Sequence, residues 1–207
     1  MREALSEGFG PLRLYRVASS GRGVNMEVGP VVLALAFAAE ALAPTLGGHH
    51  CETIGDVAEI VRPTPAVMRT IEELQALGLS LSLVGDFPGP VLTRIAQVLW
   101  FPGHTVPCSD PVRGLTETLE VPSACIWFVT AKEGEAQRAV LAGMNAIALS
   151  PDAPATTIAP SARGYYVAAG IEDVLEIIRV PYTRTALAMR VIAHTLVRRE
   201  VATEVTP

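Results

Sequence analysis

The stretch Cys125 to Leu149, CIWFVTAKEGEAQRAVLAGMNAIAL, constrains the fold more than any other part of the chain, because it reads as a complete strand, loop, helix and strand. Ile126, Trp127, Phe128 and Val129 form a short continuous apolar run, as a strand buried on both faces does, and Glu135 to Ala142 then switches to helical spacing. Gly143 stops the helix, and Ala146 to Leu149 is a second apolar run. The connection has the length that a right-handed crossover between parallel strands needs. Ligands of such units sit at the carboxyl ends of the strands, here Thr130, Ala131, Lys132 and Glu133. A catalytic acid is expected there, and Ala131 stands at the first candidate position.

The chain has 207 residues, half of them apolar, which suits one core with a small insertion. Only 18% of residues are charged, with a net charge of −5, so there is no basic field to attract nucleic acid or an anionic membrane. Cysteines at 51, 108 and 125 have no CxxC spacing and are odd in number, which argues against a disulfide framework and for a reducing cytoplasm. The N-terminal MREALSEGFGP has no apolar core and does not read as a secretory signal. Residues 28–44 are apolar but shorter than the roughly 20 residues that span a bilayer, and they contain Glu40. A buried or cap-like helix is expected there.

Along the chain, Leu12 to Val17 reads as a first strand followed by the loop SSGRG. Val31 to Leu42 reads as a helix between Pro30 and Pro44, and Glu52 to Val61 as a short helix. Thr64 and Pro65 start another helix as cap and first-turn residue, ending at Gly78. LSLSLV at 79–84 is a strand, GDFPGP a turn, and Val91 to Leu99 a helix, making a second crossover unit. A short strand within 101–111, a helix over Val112 to Leu119, an apolar pair at Tyr166-Val167 and helices over Ile171 to Ile178 and Thr183 to Glu200 complete the reading.

The run VRPTPAVMRTIEELQALGLSLSLVGD, then DPVRGLTETLEVPSACIWFVTAKEGEAQRAVLAGMNAIAL and ARGYYVAAGIEDVLEII, resembles the C-terminal two-thirds of a haloacid dehalogenase (HAD) superfamily protein over residues 62–178. The resemblance implies a three-layer, Rossmann-like α/β fold with a mostly parallel sheet. It places the core at 1–27 and 63–180, a small helical cap-like insertion at 28–62, and a terminal helix and tail at 181–207.

The family's chemistry needs a nucleophilic Asp and a second Asp two residues later at the end of the first strand, to attack phosphorus and handle the leaving-group proton. LRLYRVASSG offers Arg16, Ala18, Ser19 and Ser20 there, and no carboxylate. A Ser or Thr is needed after the second core strand, where this chain has Gly85 beside Asp86. Cys108, Ser109 and Asp110 lie where a charge-neutralising Lys belongs, and of the acids that hold Mg²⁺ the first is replaced by Ala131 while Glu135 can replace the second. The resemblance thus implies the fold without its reaction: no catalytic residues, no metal and no cofactor. The alternative is a divergent phosphatase for a small anionic metabolite, with Asp86 and Glu135 as surviving acids and Mg²⁺ as cofactor.

Without the reaction, the expected role is binding, accessory or assembly, with a protein partner or a second copy, and no nucleic acid or membrane. A small anionic ligand is expected at Ser19, Ser20, Gly85, Asp86, Thr130 and Lys132, the strand-end positions. GGHHC at 47–51 reads as a polar loop, since adjacent His and Cys chelate poorly together. In the terminal helix, Ala186, Met189, Ala193 and Leu196 share an apolar face that has to be covered, either by packing back on the chain's own core or by another copy of the chain in a twofold dimer.

Overall fold

The computed structural model describes residues 34–46, 53–153 and 160–179. Val32–Arg179 form one compact unit, and the second unit, 1–31 with 180–207, lies outside the described residues. The expected strand Leu12 to Val17, the ligand positions Ser19 and Ser20, the whole GGHHC loop and the helix Thr183 to Glu200 lie outside them.

Among the described residues, six strands form one sheet in the order β3-β2-β1-β4-β5-β6, every pairing parallel. They are β1 Ala34–Ala38, β2 Ser80–Gly85, β3 His104–Pro107, β4 Ile126–Thr130, β5 Asn145–Leu149 and β6 Tyr166–Ala168. The helices are α1 Ala39–Leu42, α2 Ile54–Ile60, α3 Pro65–Ala76, α4 Gly89–Val98, α5 Pro111–Thr118 and α6 Glu133–Leu141, with a last helical segment at 171–179. Helices lie in the connections from β1 through β5, giving the three-layer Rossmann-like α/β architecture expected. Strand order reverses between β1 and β4, and the crevice at their carboxyl ends is where such sheets bind ligands.

The central strand corrects one expectation. Ala34–Ala38 is not part of a helix over Val31 to Leu42 but the strand at the middle of the sheet, paired with β2 on one side and β4 on the other. All five residues are buried, so this part of the expected cap-like insertion belongs to the core. A strand covered on both faces has no polar alternation, and its alanines favour helix intrinsically; packing between two neighbouring strands overrides that preference. Here helix is found only over α1, one turn that begins directly after the strand and contains Glu40.

Around β1 the core is made of Phe37, Leu83, Trp127 and Phe128, all fully buried, each burial stabilising by about 1.5–3 kcal/mol. Phe37 meets Phe101 edge-on with ring centroids 6.2 Å apart. Local signals hold where expected. Thr64 caps α3 by accepting from Val67 N–H at 3.2 Å with Pro65 in the first turn, and Gly78 and Gly143 adopt φ of 74° and 82°. Asp110 caps α5 by accepting from Val112 N–H at 3.2 Å.

Candidate functional site

β1 ends at Ala38, and α1 begins at once, so Glu40 stands two residues beyond the last strand residue. On one side β2 delivers Gly85 and then the exposed Asp86, and on the other β4 delivers Thr130, Ala131 and Lys132. α6 starts after Lys132, and its first turn carries Glu135 back beneath the crevice. β3 adds Cys108, whose N–H donates to Gly85 O at 3.0 Å, and Asp110 follows.

One ion-pair network joins three of these elements. Lys132 Nζ lies 2.9 Å from Glu40 Oε1 and 3.4 Å from Glu135 Oε1, so a single ammonium bridges two carboxylates that are 95 residues apart in sequence (135 − 40). The other Glu135 oxygen, Oε2, accepts from the Thr130 hydroxyl at 2.7 Å. Thr130 Oγ1 in turn accepts from Lys132 N–H at 3.1 Å. The side chain of Glu135 is only 11% exposed and that of Glu40 20%, whereas Lys132 keeps 56%. The hydrogen bond to Glu40 pushes the Lys132 ammonium above the usual lysine pKa, against the opposing effect of burial.

Beside this network, burial pushes the Cys108 thiol upward, and the nearby charges of Asp110, Asp86 and Glu135 add to it. Cys108 is therefore a protonated thiol, unsuited to act as a nucleophile. Asp110 is held by Arg138 at 3.3 Å as well as by its cap hydrogen bonds. On the rim, Glu133 Oε1 accepts from both Arg163 and Tyr165 OH.

The expected positions thus divide. Gly85 and Asp86 at the end of β2, and Thr130 and Lys132 at the end of β4, lie on either side of β1 at the same end of the sheet, but Thr130 is fully buried and its hydroxyl is engaged within the network. Glu135, the alternative acid, is held by Thr130 and Lys132. Glu40 is the residue that sequence reasoning missed; its signal, an acid two residues past an apolar run, was hidden by reading that run as a helix.

A divalent ion does not fit these residues. Mg²⁺ requires a near-octahedral set of oxygens at about 2.0–2.1 Å. Here the ammonium stands between the two carboxylates, and the free side of Glu135 is bonded to a hydroxyl. Among the described residues there is no group of three His, Cys, Asp or Glu side chains able to hold a metal. Nor, among them, is any helix long and apolar enough to cross a membrane.

No protein-family model and no curated protein matches the chain. Solved structures do. An L-2-haloacid dehalogenase superposes with a TM-score of 0.52 at 13% identity, covering 72% of this chain and 99% of that one. A HAD phosphatase from Thermococcus onnurineus gives 0.53 at 12%, covering 71% and 98%. The L-2-haloacid dehalogenase of Xanthobacter autotrophicus with chloropropionic acid covalently bound gives 0.50 at 12%, covering 72% and 99%. At these identities the likeness is one of backbone, and the chain has the fold of the haloacid dehalogenase superfamily.

Proposed function

We propose that this chain is a catalytically inactive HAD-like protein that works as a binding, accessory or assembly component in the cytoplasm. The observation that carries the reading is the end of the central strand. HAD chemistry calls for an Asp at the strand end and another two residues on, and here β1 ends on Ala38, with Ala39 and Glu40 following in α1. A methyl group stands in the nucleophile's position, and the acid that follows is tied to Lys132. Gly85 at the end of β2 has no hydroxyl for a phosphoryl oxygen, Cys108 replaces a cation after β3, and Ala131 replaces an acid after β4. Losing a nucleophile alone costs on the order of 10⁶-fold in hydrolases that use one.

Electrostatics supports the same reading. Glu40 and Glu135 flank Lys132, Asp110 pairs with Arg138, and Asp86, Asp110 and Glu135 all lie near Cys108, so carboxylates outnumber cations at the strand ends and disfavour a phosphorylated or carboxylate substrate. The test is a screen of phosphate esters and 2-haloacids with Mg²⁺, comparing wild type with Glu40→Gln, Asp86→Asn and Glu135→Gln. We expect no turnover that responds to the substitutions. Turnover that the substitutions abolish would instead establish a divergent hydrolase. Self-association through residues 183–200 is proposed from the sequence alone: a chain ending after Ile178 then stays folded and sediments as a monomer, and a full-length chain that is monomeric at micromolar concentration refutes it.

A further inference from the structure

We propose that the ammonium of Lys132 is a built-in counter-cation that occupies the place between Glu40 and Glu135, so that the strand-end crevice works without a divalent ion. Lys132 is the only lysine of the chain; the other fifteen basic side chains among the sixteen Lys and Arg are arginines. That one ammonium sits 2.9 Å and 3.4 Å from carboxylates delivered by two different elements, α1 and α6. A compact ammonium with three rotatable donors meets two converging carboxylates as a point charge does, whereas a planar guanidinium prefers to grip one carboxylate with its fork. The site is also braced around the cation. Thr130 holds Glu135 from behind and binds the Lys132 backbone N–H, fixing the start of the lysine's own side chain relative to its acceptor.

The inference does not depend on catalytic inactivity, and its test does not read activity. Mn²⁺ is titrated into the full chain and bound ion is measured by electron paramagnetic resonance, for wild type, Lys132→Met and Lys132→Gln, with folding checked by circular dichroism. Wild type should show no saturable site at the strand ends. Both variants should gain one Mn²⁺, bound at least about tenfold more tightly than by wild type, the scale on which neighbouring groups tune metal affinity. Adding Glu135→Gln to Lys132→Met should abolish the gain. A wild-type protein that binds Mn²⁺ as tightly as the variants, at a site lost with Glu135→Gln, overturns the proposal. So does a pair of folded variants that gain nothing. Hydrolysis by the wild type alongside the expected titrations would overturn inactivity and leave the internal cation standing.

Discussion

Replacing Thr130 by valine removes one hydroxyl and leaves the shape of the side chain almost unchanged. That hydroxyl is fully buried, donates to Glu135 Oε2 at 2.7 Å and accepts from Lys132 N–H at 3.1 Å. A hydrogen bond to a charged group contributes about 1.5–3 kcal/mol and a neutral one about 0.5–1.5 kcal/mol. Glu135 is 8% exposed, so water recovers little of the first bond, while the part-buried N–H recovers some of the second. The expected loss is about 2–3 kcal/mol, equivalent to roughly 4–12 °C in Tm for a chain of this size. Urea unfolding reads it as a lowered midpoint at constant slope. Thr130→Ser keeps the hydroxyl and loses one methyl, about 0.8 kcal/mol. A valine variant within about 0.5 kcal/mol of wild type, the range of ordinary surface changes, or a serine variant as damaged as valine, would refute the reasoning.

Two glycines should respond oppositely to alanine. A Cβ on Gly103 would lie 2.1 Å from the Leu81 carbonyl oxygen, so Gly103→Ala forces β2 and β3 apart and costs about 1–3 kcal/mol or more, whereas Gly134 in α6 has nothing within 4 Å and alanine there gains about 0.5–1 kcal/mol; urea midpoints check both. The Lys132 pKa is raised on folding, so its stabilisation is complete below the unfolded value and is lost as pH rises through the folded one. The stability gap between wild type and Glu40→Gln should therefore hold from neutral pH to about 10 and close above about 10.5, the unfolded lysine value; a gap that closes near neutrality contradicts the ion pair. With its thiol held protonated by burial and by Asp110, Asp86 and Glu135, Cys108 should be alkylated by iodoacetamide at pH 8 more slowly than a free thiol, as read by peptide mass spectrometry.

Much of the fold was legible because its signals are local. The apolar run of β4, the helical spacing of α6 and Gly143 between α6 and β5 define a crossover without reference to the rest of the chain. The same holds for Thr64-Pro65 before α3 and Gly78 after it. β1 reads as a helix in the sequence because a strand buried on both faces and a buried helix present the same continuous apolar pattern, and ALAFAAEAL contains alanines that favour helix. What makes it a strand is pairing with β2 and β4, contacts distant in sequence. The error carried into the site. Reading β1 as a helix puts the end of the first strand at Arg16, Ala18, Ser19 and Ser20 and leaves Glu40 only as an argument against a membrane span. Glu135 and Lys132 were visible by position, but their shared partner was not, because α1 reaches them only through the sheet.

The most direct test of the proposal that the strand-end crevice of this chain does not carry out hydrolysis is a crystal structure of the full chain grown with Mg²⁺ and tungstate as a phosphoryl mimic. The expected density shows Lys132 Nζ between Glu40 and Glu135 and no oxyanion against Ala38 at the end of β1. A metal ion between the two carboxylates, with tungstate seated at the ends of β1 and β4, would contradict the account.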